Sequence, residues 1–388
     1  MEILIIAHYN LTSELSGGKN RILSLAKALA RFSSVKILHR GKNLSNRSQN
    51  LHFIGYMLIP PLDNSYLLSE LVSQYISIIS PSFYKKLKSS LNNVDVVQIE
   101  QPYTAIPAFM IMKLLRKKPL IVLDSHNVDF MAAKSKLGKS LFASFATLIT
   151  LPYIFLCEKF AVSKAHLILC VSEEDCISFL RFYKVPLRKI VVIPNGVDLE
   201  KFERAPLIPG LKDKKTIFFH GLYSWYPNLE AAQLIIDYIA PRVPEGFFLL
   251  AGSHLPQPLI EKTRKMRNVK YLGYLRNLES WIKSSKVCIA PILRGGGTRL
   301  KILEYAAASK PIVATFKAVE GLGIINKVHG LFYREVDEQF IEGIRRVLND
   351  DRLAEELGKN AYSLAKRYDW RVIGEKLYNV YKKVLQDC

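Results

Sequence analysis

The sequence predicts an α/β protein made of two successive domains in which strands and helices alternate. Three observations predict it. At 388 residues the chain is longer than one core usually serves, so two or three domains are expected. Short, nearly continuous apolar runs recur along it, separated by helical periodicities, as in parallel sheets covered on both faces. Glycine-rich or polar clusters follow several of those runs, at the strand ends where such sheets hold ligands. Hydrophobic residues make up 49% of the chain and charged residues 23%, an ordinary globular composition.

Taken in order, residues 3–7 read as a first buried strand rather than a signal peptide, because no basic region precedes them. Gly17 and Gly18 then precede a helix whose apolar side carries Ile22, Leu25, Ala26 and Leu29. A glycine pair there lets a ligand approach backbone closely, although the spacing is not that of a dinucleotide fingerprint. Residues 35–39 form the next strand, and 40–50 a basic loop. Residues 51–90 are dense in apolar and aromatic side chains and close on Lys85, Lys86 and Lys88. A packed helical excursion is favoured there over a surface that meets lipid. Residues 94–99 read as a strand ending at Glu100, and 106–115 as a helix whose basic end suits its dipole. Residues 120–123 form a strand with Asp124, Ser125, His126 and Asn127 at its carboxyl end, where α/β folds place chemistry. Residues 141–157 carry no charge. Their serine and threonine content and Pro152 favour a core or surface-lying helix over a membrane span.

Strands at 167–171 and 190–193 complete the first sheet. Between them Glu173, Glu174 and Asp175 open a helix as dipole partners, not as a metal site. A linker is expected over 199–213, with Pro206, Pro209 and Gly210. The second half alternates more regularly. Strands are expected at 216–220, 247–251, 269–272, 287–291 and 311–314, and helices at 228–239, 278–284 and 298–308, with Asn228 as an N-cap. Helices from Asp337 and Asp351 lead to Tyr368-Asp369-Trp370 and a last helix.

The most informative stretch is 290–315, APILRGGGTRLKILEYAAASKPIVAT. Gly295, Gly296 and Gly297 remove three side chains where the chain leaves a strand, so amides can approach a bulky anion. Thr298 stands where a helix N-cap belongs. A phosphate at this turn would meet helix-end amides, the positive dipole end, and the Arg299 and Lys301 side chains. Glu304 offers a carboxylate to a sugar diol.

This stretch, followed by Glu320-Gly321-Leu322, resembles the donor-nucleotide signature of the retaining family-four, or group-1, glycosyltransferases. Residues 192–198 (VIPNGVD) and 218–232 (FFHGLYSWYPNLEAA) support the resemblance. It implies a GT-B fold of two Rossmann-like domains facing across a cleft, with a C-terminal helix crossing back to the first. The implied bounds are an acceptor domain over 1–198, a donor domain over 199–369 and the returning helix over 370–388. It further implies that Glu304 binds nucleotide ribose, that Tyr274 and Leu275 border the base, that Gly17 and Gly18 face the donor phosphate and acceptor, and that His126 contacts donor sugar or acceptor. In one respect the sequence departs from the pattern: the family carries a second glutamate eight positions before Glu304, and here that position is Gly296.

Formal charge of +21 calls for an anionic partner. Nucleic acid is not expected, because no aromatic-basic signature accompanies the scattered cations. The leading expectation is transfer of a sugar from a UDP- or GDP-type nucleotide sugar to a glycan or lipid-linked acceptor, with retention. A nucleotide-sugar-binding protein without transferase activity is the alternative, with a nucleic-acid-binding protein behind it. Neither cofactor nor metal is expected: no DxD motif is present, and the five cysteines show neither CxxC nor paired histidine spacing. Reduced thiols suit a cytoplasmic protein. Up to Ile190 the chain holds 24 basic against 12 acidic residues. With Lys85, Lys86, Lys88, Lys134, Lys136 and Lys139 flanking apolar stretches, peripheral attachment to an anionic inner membrane face is expected.

Overall fold

The computed structural model describes residues 1–12, 17–44, 49–57, 80–134, 141–211, 214–295 and 297–387, with backbone alone at 132, 141–146 and 149. Gly296, Lys136, Lys139 and much of the apolar stretch after residue 57 lie outside the described residues. The chain divides into two compact units, Met1–Pro194 with Trp370–Cys388, and Asn195–Asp369.

The first unit is a seven-stranded sheet among the described residues: β1 (Glu2–Asn10), β2 (Ser34–Arg40), β3 (Leu51–Tyr56), β4 (Val96–Glu100), β5 (Leu120–Ser125), β6 (Leu167–Cys170) and β7 (Ile190–Val192). Its order is β3-β2-β1-β4-β5-β6-β7, with every pairing parallel. The period-2 geometry of a strand divides β1 between two cores. Leu4 and Ile6 pack in one, with Val97, Leu123 and Ile168. Ile3, Ile5 and Ala7 pack in the other, with Val35, Val122 and Trp370. A sheet buried on both faces has no reason to alternate polar and apolar residues, which is why its strands read as apolar runs. The last helix, Trp370–Asp387, belongs to this unit and packs on the helix Gly17–Leu29.

The second unit is a six-stranded sheet among the described residues: β8 (Thr216–His220), β9 (Phe247–Ala251), β10 (Val269–Gly273), β11 (Val287–Ala290), β12 (Ile312–Thr315) and β13 (Leu331–Tyr333). It is again wholly parallel, in the order β10-β9-β8-β11-β12-β13. In both sheets the strand order reverses once, between β1 and β4 and between β8 and β11. Open parallel sheets bind ligands in the crevice at such reversals, beyond the carboxyl ends of the strands.

The α/β expectation holds, with corrections. Residues 51–56, expected to lead a helical excursion, form β3 and pair in parallel with β2. Gly55 and the polar flank obscure the pattern, while Leu51 and Phe53 supply the inward face. β13 is not apparent in the sequence because three residues are too few to show a period. The expected linker opens as a helix, Leu199–Arg204, whose N-cap Asp198 accepts from the Lys201 amide at 3.2 Å. Asn228 is not an N-cap: that position is Trp225, and Pro227 occupies the first turn of the helix Tyr226–Leu234, where its missing N–H costs nothing. The uncharged stretch continues as one helix, Leu141–Lys164, with Pro152 inside it. Among the described residues no helix is long and apolar enough to cross a membrane. This helix is two-sided instead, with Ile154 and Cys157 buried and Leu148 and Leu156 about 60% exposed.

Candidate functional site

In the second unit the reversal lies between β8, which ends at His220, and β11, which runs into the glycine turn. Gly295 (φ +106°) and Gly297 (φ +73°) both adopt backbone that disfavours side chains. A Cβ on Gly295 would also lie 3.2 Å from the Pro227 ring, so the turn rests on the start of the helix Tyr226–Leu234. The helix Leu300–Ala307 follows directly and buries Ile302, Leu303, Ala306 and Ala307.

Its N-cap position is Arg299, not Thr298 as expected, and no side chain caps it. Thr298 Oγ1 instead accepts a 2.6 Å bond from Asn195 Nδ2, which ties the turn to the PNG segment. The Arg299 guanidinium folds back onto the turn, donating to the Gly295 carbonyl at 2.7 Å and to the Gly297 carbonyl. Burial holds its pKa below the usual arginine value.

Lys301 is 9% exposed, donates to Asn228 Oδ1 at 2.8 Å and stands 4.1 Å from the centre of the Phe219 ring. Burial pushes its pKa down to about 7, against the opposing pull of Glu304. Glu304 lies 3.1 Å from His220 Nε2, and its side chain keeps 23% of its surface in solvent. Burial alone would raise its pKa, but His220, Lys301 and Lys201 outweigh that and hold it below the ordinary glutamate value. The turn is thus followed by a lysine that titrates near neutrality and an ionised carboxylate, three positions apart on one helix face. After β10, Tyr274 is 68% exposed, and Leu275 packs on the core of the unit.

In the first unit the reversal brings together the ends of β1, β4 and β5. Arg21, 1% exposed, donates to both oxygens of Asp124 at 2.9 and 3.2 Å, and to the carbonyls of Ile193 and Pro194 at 2.9 and 3.1 Å. Glu100 Oε2 lies 3.0 Å from His126 Nε2, and its other oxygen accepts from Gln98 at 2.6 Å. Gln98 in turn accepts from Tyr381 of the last helix at 2.7 Å. Burial, reinforced by Asp124, raises the Glu100 pKa against the pull of His126. Gly18 opens onto this group, because a Cβ there would lie 3.1 Å from His126 Nδ1 and 3.2 Å from Tyr9 Oη. Gly17 precedes it at the helix start. Glu100, Asp124 and His126 are close enough to share a metal ion, but the cation held against Asp124 is the Arg21 guanidinium.

The structure therefore gathers Gly295, Gly297, Thr298, Arg299, Lys301 and Glu304 in one unit, and Gly18 with His126 in the other. Gly296 lies outside the described residues. Sequence reasoning missed the place of His220 and Asn228 beside Glu304 and Lys301, and that of Arg21, Gln98 and Glu100 around His126, while Asp124 was expected beside His126 at the strand end. A signal for the latter existed: Gln98, Glu100 and Asp124 are polar residues inside otherwise apolar strands, and each is fully buried.

Two wholly parallel sheets, each with one reversal of strand order, are the architecture of the GT-B class. Residues 214–350 match the profile of the glycosyl transferases group 1, and residues 15–201 that of glycosyltransferase family 4. The chain belongs to this group-1 family of GT-B glycosyltransferases. Over 313 residues it is 28% identical to the UDP-Gal:alpha-D-GlcNAc-diphosphoundecaprenol alpha-1,3-galactosyltransferase of Escherichia coli, covering 74% of this chain and 76% of that one. It is 27% identical over 204 residues to the phosphatidyl-myo-inositol mannosyltransferase of Mycolicibacterium smegmatis, which spans 50% of this chain and 52% of the relative. The fold is similar to that of sucrose-phosphate synthase from Thermosynechococcus elongatus, at a TM-score of 0.76 and 18% identity over the full length of both chains.

Proposed function

We propose that this glycosyltransferase moves a sugar from a UDP- or GDP-type nucleotide sugar to a lipid-linked glycan acceptor, with retention of anomeric configuration. One observation carries the donor half of this reading: the glycine turn, Lys301 and Glu304 converge at the strand-order reversal of the second unit. The departing nucleoside diphosphate develops negative charge, and preorganised cations and amides stabilise it most where water is excluded. In this reading Lys301 and amides of the turn take that role, and Arg299 adds its charge while closing the turn. Glu304 accepts hydrogen bonds from the ribose, and Tyr274 and Leu275 border the base. On the acceptor side, His126 is oriented by Glu100 and faces Gly18, so it contacts donor sugar or acceptor where the backbone leaves room. In this reading residues 1–198 with 370–388 serve the acceptor, and 199–369 serve the donor.

Support for a lipid-linked acceptor comes from the Escherichia coli and mycobacterial relatives, whose names specify diphosphoundecaprenol and phosphatidylinositol acceptors. The first unit also exposes Met110 and Leu114 beside Lys113, and Leu156 beside Lys159. Apolar side chains among cations suit peripheral attachment to an anionic cytoplasmic membrane face. The test is turnover: nucleotide sugars are offered with a polyprenyl-diphosphate saccharide, products are weighed by mass spectrometry, and the new linkage is read by NMR. Transfer with the donor's anomeric configuration supports the proposal. Tight donor binding without transfer to lipid-linked or free glycan would leave a nucleotide-sugar-binding protein.

A further inference from the structure

A second cationic pocket lies at the opposite end of the donor sheet from the glycine turn. It is a cavity of about 280 Å³ whose walls precede β11 and β12: Lys283, Ser284 and Lys286 on one side, Ser309 and Lys310 on the other, with Asp351 at the rim. Across a parallel strand of four residues, one end is roughly 13 Å from the other, so this cavity is separate from the donor turn.

The charges around it do not cancel. Lys286 is paired with Asp351, and Glu355, which also lines the cavity, is paired with Lys359 at 2.6 Å. Lys283 donates to the carbonyls of Glu203 and Ala205, at 2.8 and 3.0 Å, and has no carboxylate partner among the described residues. The Lys310 ammonium is partly buried and has no hydrogen-bond or ion-pair partner among the described residues. Lys283 and Lys310 therefore line one cavity and neither has a carboxylate partner among the described residues, while Asp351 and Glu355 are paired with Lys286 and Lys359. Burial, followed by Lys286 and Lys283, lowers the pKa of Lys310, a repulsion that a bound anion would relieve. The Ser284 hydroxyl accepts from the Ile208 amide at 2.7 Å, which leaves its own proton to donate. Ser309 stands at the mouth in left-handed backbone (φ +55°), so the chain turns outward as it leaves the helix Leu300–Ala307.

We propose that this cavity is a second anion site, which takes a phosphate or diphosphate group through Lys310, Lys283 and the Ser284 hydroxyl. Of the three lysines that line the cavity, Lys310 alone has neither a carboxylate nor a carbonyl partner among the described residues, so its ammonium is the one left for a ligand. The site lies just beyond the carboxyl end of the helix Leu300–Ala307, which carries Lys301 in its first turn. It stands independently of what the donor turn binds.

The experiment titrates inorganic pyrophosphate into the full chain with UDP present in excess, at constant ionic strength, and follows backbone amides by NMR. Saturable shifts at Ser284, Ser285, Ser309 and Lys310 are expected. Lys310→Gln should weaken that binding at least tenfold, Lys310→Arg should restore most of it, and Lys382→Gln on the last helix should leave it unchanged. Inorganic phosphate and glycerol phosphate, run alongside, separate a site for free diphosphate from one for a phosphate ester. Shifts confined to residues near the glycine turn would overturn the proposal, as would equal losses in the Lys310 and Lys382 variants. The pattern of shifts in the wild type decides the matter even if the Gln variant fails to fold.

Discussion

At the scale of single residues, the proposed donor site includes a lysine whose charge is marginal before any ligand arrives. Lys301 sits against the Phe219 ring with a pKa pushed down to about 7 by burial. A diphosphate would favour its charged form, so the pKa rises on binding and a proton is taken up. The sign follows: below about pH 7 the lysine is already charged and binding is strongest. Above it, affinity falls by up to roughly tenfold per pH unit until the pKa of the complex is reached. Calorimetric titration of UDP between pH 6 and 9, in buffers of different ionisation enthalpy, should show this uptake, and Lys301→Met should abolish it. A pH-independent affinity in the wild type would show that Lys301 does not face the phosphates. Such behaviour was not legible in the sequence. The stretch Gly297–Leu303 announces a cation at 301, but the ring and the Asn228 amide that bury it come from segments some 70 to 80 positions earlier.

At the scale of elements, the segment that carries His126 is fastened from a distance. Glu158, fully buried on the helix Leu141–Lys164, accepts from the amides of Asp129 and Phe130 at 2.7 and 3.0 Å and from the Tyr183 hydroxyl at 2.5 Å. Those amides open the helix Asp129–Lys134, three residues beyond His126. Burial raises the pKa of Glu158 against these bonds. Glu158→Ala should cost about 3 kcal/mol or more, since hydrogen bonds to a charged group contribute roughly 1.5–3 kcal/mol each and three donors lose their acceptor. Denaturant titration reads the stability. Hydrogen exchange at residues 126–130 should rise more than in the second unit, and uniform loss of protection would argue against a local clasp. Here the sequence was only half readable. Regular strands such as 216–220 and 247–251 are legible residue for residue, because a doubly buried strand has no alternative use for such a run. Caps are harder: Thr298 and Asn228 have the right chemistry for an N-cap, yet each is used by a neighbouring segment instead.

At the scale of the molecule, the positive charge is unevenly useful. The described part of the first unit places Lys85 and Lys88 at the surface of the helix Pro81–Ser90, and Met110 and Leu114 at that of Ala105–Leu114. Each basic residue near an anionic bilayer is worth about 1 kcal/mol. Co-sedimentation with vesicles containing anionic lipid should therefore be salt-sensitive and should weaken several-fold when Lys85, Lys86 and Lys88 become glutamine. Equal indifference to neutral and anionic vesicles would point to an acceptor met in solution. The family was readable from 26 consecutive residues, since a glycine turn, two cations and a helical glutamate occupy one contiguous stretch. In the first unit Gly18, Asp124 and His126 were readable at strand ends, but their grouping with Arg21 and Glu100 was not, because it arises only through the strand order β1-β4-β5.

On the proposed reading, the turn and the helix Leu300–Ala307 hold a nucleotide, with Glu304 as the ribose acceptor. Calorimetric titration of UDP and GDP into the wild type and Glu304→Ala tests it most directly. The lost charged hydrogen bonds are worth roughly 1.5–3 kcal/mol, so affinity should fall about ten- to a hundredfold in a variant that melts like the wild type. Wild-type affinity in a correctly folded Glu304→Ala protein would contradict the assignment.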